Sequence, residues 1–159
     1  MKKLAALAMA ALIAVPGIAG AAAVKSDKLF GDHDRYAVIY TSGKERIYVD
    51  TETIEKDDTS AGQLPVLRGI AYAEIFTSPL DYPAYGNNNI VKYVYECEIA
   101  VGADQMGSDI RYRILNKLKH VYDANGNAVQ KEGTGQSKES SDTAEEIYVN
   151  MYRLAKIYT

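Results

Sequence analysis

The chain has 159 residues, a length suited to one ordinary domain, and its 47% hydrophobic and 25% charged content is that of a globular protein, not a multi-span membrane protein. Its net charge is −3 at pH 7 and becomes −5 without residues 1–23, because that stretch carries Lys2 and Lys3 and no acid. A mildly acidic chain lacks the basic patches that grip phosphate backbones, so nucleic acid is not an expected partner.

Residues 1–23 have a basic start, an apolar run over 4–15, then Pro16-Gly17 and the small residues Ala21-Ala22-Ala23. This is the three-part pattern of a secretory signal peptide, and the apolar run is too short to span a bilayer. Cleavage after Ala23 or Ala21 is expected, with no stable membrane insertion afterwards. The chain is therefore expected to be exported, to the periplasm, the cell surface or the medium. Only one cysteine, Cys97, is present, so no intramolecular disulfide can form.

Residues 24–35 read as a polar, solvated leader. Asp32-His33-Asp34 within it offers an imidazole and two carboxylates. Adjacent residues of an extended chain point to opposite sides, however, and so rarely share one metal ion. The domain proper is expected over 36–159. Residues 36–41 (YAVIYT) and 46–51 (RIYVDT) flank a Ser42-Gly43-Lys44 turn and predict a hairpin. Residues 64–77 predict a long third strand in which Gly69 marks a bend or bulge. Residues 78–89 (SPLDYPAYGNNN) are expected to form a long loop, and such loops are often either functional or simple mobile connectors. Tyr82 and Tyr85 at its tip are the candidate partner-binding residues.

Residues 90–101 (IVKYVYECEIAV) alternate with period 2. Val91, Tyr93, Tyr95, Cys97, Ile99 and Val101 are expected on the core side, and Lys92, Glu96 and Glu98 outside. Residues 102–109 are expected to turn the chain. Residues 110–123 predict a further strand whose apolar phase shifts near Leu115-Asn116, the mark of a bulge. Ile110, Ile114, Leu118 and Val121 also trace a helical stripe. Asn125-Gly126 signals a hairpin turn into a short edge strand over 128–132. Finally, Ala144, Ile147, Tyr148, Met151, Leu154, Ala155 and Tyr158 recur at helical spacing, predicting an amphipathic C-terminal helix. The expected fold class is α+β: an antiparallel sheet of about five to six strands with that helix packed on one face.

No nucleophile elbow, zinc-protease, phosphate-loop or dinucleotide motif is present, so no catalytic, metal or cofactor residues are assigned and no enzyme is expected. Cys97 and His120 lie on strands that could be neighbours, the one arrangement open to thiol chemistry. The 13 Tyr fit either simple strand propensity or an adhesive face with polar tips.

The motifs at 47–54 (IYVDTETI), 95–99 (YECEI) and 121–129 (VYDANGNAV), followed by a helix over 142–157, resemble the surface-adhesin protein E-like family. The resemblance covers most of the chain after residue 23. It implies a small exported bacterial protein with an antiparallel sheet and a C-terminal helix. It also implies binding of a protein partner such as a host matrix or serum protein, with homodimers allowed. Family members commonly carry a second cysteine near the last helix; residues 151–159 here have none. They also often begin with Trp where this chain has Tyr36, and no binding residue is carried over. A periplasmic structural or stress-related factor is the alternative reading of the same features.

Overall fold

The computed structural model describes residues 24–58, 64–76, 91–129 and 141–158. Chain order is α1 (Ser26–Gly31), β1 (Tyr36–Thr41), β2 (Glu45–Asp50), a 3-10 turn at Thr51–Thr53, β3 (Glu55–Asp57), β4 (Val66–Phe76), β5 (Val91–Met106), β6 (Asp109–Tyr122) and α2 (Ser141–Tyr158). The six strands form one antiparallel sheet, ordered β1-β2-β4-β5-β6, with β3 beside β4. The α+β architecture expected from the periodicities is the one observed.

The sheet has two differently covered faces. Ile47, Val49, Leu67, Ala71, Ile99, Val101 and Ala103 point to one side, where they pack with Ile147, Tyr148, Met151 and Ala155 of α2. This helix face is the main core, as the stripe predicted. Hydrogen bonds help fix α2 on it: the Tyr148 hydroxyl donates to the Pro65 carbonyl at 2.9 Å, and Asn150 Nδ2 donates to the Ile39 carbonyl at 2.9 Å. Tyr158, assigned to the stripe from spacing, is instead half exposed at the last turn.

The opposite face is where the sequence reading fails. Residues 24–35 are not a solvated lead-in. They form α1, and Leu29 is fully buried together with Val24, Tyr36, Tyr48, Tyr72, Val94 and Tyr122. Two adjacent apolar residues, Leu29 and Phe30, on a six-residue helix leave no periodic signal. The consequence reaches β5, whose buried residues include Val94 and Glu96, whereas Tyr93, Tyr95 and Cys97 are only half buried. The strand is covered on different sides at its two ends, so strict in/out alternation does not hold along it.

Local details follow from register. Gly69 makes no bulge; it pairs with Ile99 in an unbroken ladder. A Cβ there would stand 3.2 Å from Val49 Cγ2 and 3.4 Å from Thr53 Oγ1, so the glycine admits a close approach. Thr53 Oγ1 accepts from the Ile70 N–H at 2.9 Å, filling the gap in the ladder where the chain steps from β2 to β3. Residues 102–106 do not turn but extend β5, and the reversal is Gly107-Ser108, with Gly107 at φ 67. Glycine at the first position of a two-residue hairpin loop matches the twist of the flanking strands. Gly102, read as a turn residue, gives room to Arg113, whose Nε lies 3.3 Å from where its Cβ would be.

β6 is a strand and not a helix. Its expected bulge exists but lies at Lys119, which the pairing of Glu96 with His120 and Cys97 with Leu118 skips. The Asn125-Gly126 turn is present, held by Asp123 Oδ1 accepting from the Asn125 and Asn127 N–H groups at 2.9 Å each. The returning segment reduces to a bridge from Ala128 to Tyr122 within the described residues.

Met151 has no exposed surface and sits at the centre of the helix–sheet contact. Met151→Ala is expected to lower the unfolding free energy by about 2–5 kcal/mol, measured by urea denaturation.

Candidate functional site

The face under α1 carries a polar lattice between its tyrosines. β2, β4, β5 and β6 bring Tyr48, Tyr72, Glu96 and His120 into one cross-strand row, and Arg46, Glu74, Val94 and Tyr122 into the next. Arg46, Glu74 and Glu96 are all buried. Arg46 Nη1 stands 4.0 Å from Glu74 Oε2 and 3.4 Å from the Tyr48 hydroxyl. Tyr48 in turn donates to Glu74 Oε2 at 3.2 Å, and the Ser26 hydroxyl of α1 donates to Glu74 Oε1. The Arg46 guanidinium also lies over the Phe76 ring. Buried charge is tolerated only when so met, because the desolvation cost of an isolated ion is large.

At the other end of the leader, Arg35 makes a two-nitrogen contact with the buried Asp50, Nη2 to Oδ2 at 2.9 Å and Nε to Oδ2 at 3.2 Å. Asp50 also accepts from the Glu52 N–H, starting the 3-10 turn. Tyr36 and Tyr72 meet edge to face with centroids 5.7 Å apart. The Tyr122 hydroxyl donates to Glu96 Oε2 at 3.5 Å, a long bond. These contacts clamp residues 24–36 onto the sheet. Burial raises the Glu74 carboxyl above its ordinary range, opposed by Ser26, Tyr48 and Arg46. Burial likewise pushes the Tyr48 phenol up to about 12. Arg46, Glu74, Glu96 and Asp50 are buried, which suits the lattice to holding the fold.

The open surface lies further along the same face, beyond α1. Thr53, Glu55, Arg68, Ile70, Glu98, Ala100, Leu115 and Lys117 line a shallow groove of about 610 Å³. Beyond Val101, β5 has no partner in β4, so residues 102–113 project as a hairpin. Met106 and Ile110 on this hairpin, and Leu115 and Leu118 further along β6, are exposed large apolar side chains. Charges interleave them: Arg113 Nε pairs with Asp104 at 3.2 Å and Lys119 with Glu98 at 2.9 Å.

The residues singled out in the sequence are scattered. Tyr82 and Tyr85 lie outside the described residues. Cys97 pairs with Leu118 on the helix face, while His120 stands opposite Glu96 on the other, so the two are not brought together. Their separation by one bulge and one sheet thickness removes the thiol–imidazole arrangement that spacing left open. His33 packs edge-on against Phe30, Asp32 Oδ1 accepts from the Arg35 N–H at 3.3 Å, and the Asp34 carbonyl accepts from Thr51 Oγ1 at 3.0 Å. Those three residues serve the leader's docking. Among the described residues, no group of three or more His, Cys, Asp or Glu is placed to hold a metal ion, and no helix is long and apolar enough to cross a membrane. Comparison with protein families, curated proteins and solved structures returns no match for this chain.

Two measurements test the lattice. A carboxyl with a raised folded pKa contributes stability that is complete below its unfolded value and is lost as pH rises through the folded one. Glu74→Gln therefore gains in melting temperature relative to the parent as pH rises from about 4.5 to 7, the region above the ordinary Glu value. Arg46→Met leaves Glu74 buried and unpaired and is expected to cost about 3–5 kcal/mol, whereas Arg46→Met with Glu74→Met costs less than the single change. Denaturant unfolding of the three variants checks this.

Proposed function

We propose that the chain is an exported bacterial envelope or surface protein that binds a protein partner through the projecting β5–β6 hairpin and the groove at its base. The carrying observation is the set of exposed apolar side chains along the β5–β6 pair, Met106 and Ile110 on the projection and Leu115 and Leu118 at its base. Met106 and Leu115 lie on the groove face and Ile110 and Leu118 on the helix face, so apolar surface set among charges is offered on both sides, as binding surfaces offer it. The reading is also supported by the signal-like residues 1–23 and by the resemblance to the surface-adhesin protein E-like family. That family makes host matrix and serum proteins the first probes, and a homodimer the first assembly to measure.

The working residues under this reading lie on the hairpin, with Tyr82 and Tyr85 as further candidates. Produced in a bacterium, the chain is expected outside the inner membrane, shortened by residues 1–23. Immobilised, it retains a matrix or serum protein. Met106→Asp with Leu115→Asp lowers that retention by about tenfold or more, equivalent to about 1.4 kcal/mol, with the melting temperature unchanged. Full-length chain held in the cytoplasm, or retention indifferent to the double variant, contradicts the reading.

A further inference from the structure

β6 ends the sheet, and its pattern specifies what could be added to it. The strand has 14 residues and contains no proline. Among the described residues, only its last two positions meet a neighbour on the outer side: Tyr122 bridges Ala128, and the Val129 N–H bonds the Val121 carbonyl at 2.8 Å. The bulge at Lys119 sits at that same end, so the pairing over 109–118 is regular. A long regular edge offers a row of backbone donors and acceptors to any extended chain that matches its side chains.

Those side chains alternate by chemistry. Arg111, Arg113, Leu115 and Lys117 share the groove face, while Ile110, Tyr112, Ile114, Asn116 and Leu118 share the helix face. Asp109 is the one acid in the strand. Arg111 and Lys117 make no salt bridge among the described residues, whereas Arg113 and Lys119 are taken by Asp104 and Glu98. We propose that this edge receives an extended segment of a protein partner in which acidic and apolar residues alternate. The segment adds as a further strand, with its acids beside Arg111 and Lys117 and its apolar side chains beside Ile110, Ile114 and Leu118.

A second copy of the chain fits the edge poorly in the register centred on the strand's middle. An antiparallel self-pairing centred on Leu115 sets Arg111 against Lys119 and Arg113 against Lys117, and like charges directly opposite destabilise a sheet. The same basic residues that repel a copy attract an acidic strand. This inference rests on the hairpin being the binding surface and names what it binds.

The test uses the full chain and a labelled eight-residue peptide alternating Glu and Val, followed by fluorescence anisotropy. The Glu–Val peptide binds, a Lys–Val peptide does not, and binding weakens with salt. Arg111→Glu with Lys117→Glu, both exposed, lowers affinity by about tenfold or more without changing the melting temperature. Methylating alternate peptide amides abolishes binding in one phase and spares it in the other, because only every second N–H faces β6. Equal binding of both methylated phases means charge adsorption only and overturns the proposal. So does equal binding of the Lys–Val peptide, no binding of Glu–Val, or dimerisation of the chain through β6. If the Met106→Asp, Leu115→Asp variant still loses its matrix or serum protein while Glu–Val fails to bind, strand addition falls and the hairpin as binding surface stands.

Discussion

The fold depends on meeting one buried carboxylate. Glu74 lies near the end of β4, between β2 and β5, and is buried there. An unmet charge there would cost several kcal/mol, of the order of the whole stability of a small domain. Arg46 on β2 and Tyr48 two residues along supply part of the answer, and both are fixed by sheet register. The remaining bond comes from Ser26, some fifty residues away in sequence, and it can form only if α1 lies on the sheet. The carboxylate thus couples the N-terminal segment to the central strands.

This coupling divides the surface. α2 closes one face with apolar contacts, and α1 closes part of the other with apolar and polar ones. Neither described helix reaches the groove-facing side of the β5–β6 projection, where Leu115, Arg111 and Lys117 remain exposed. A sheet anchored on both sides at its centre gives the hairpin a rigid base, and rigid scaffolds are what loop and edge binding surfaces are built on. The half-exposed position of Cys97 on the opposite side, away from His120, directs attention from thiol chemistry to surface recognition.

The strands and the last helix were legible because each carries a period: two along β5, and 3.6 along α2. The Gly107-Ser108 reversal was misplaced because Gly102 and Asp104 carry the same turn chemistry. Only the cross-strand demand of Arg113 for space and for a carboxylate makes them strand residues. The polar lattice was invisible for a related reason. Glu96 reads as solvent-facing, and Arg46 and Glu74 carry no sign of burial, until register sets Arg46 beside Glu74 and α1 covers that face. Leu29 gave no warning because two adjacent apolar residues, Leu29 and Phe30, in a six-residue helix have no period. That β6 stands last in the sheet among the described residues was likewise a matter of strand order, which local pattern does not encode.

Amide hydrogen exchange, read residue by residue on the full chain at neutral pH, tests the account most directly. The account predicts protection of α1 amides comparable to that of β2 and β4, together with alternation along residues 109–118 of β6, inward amides slow and outward amides fast. Rapid exchange throughout α1 while the sheet stays protected would contradict the clamp. Uniform protection along β6 would contradict its open edge.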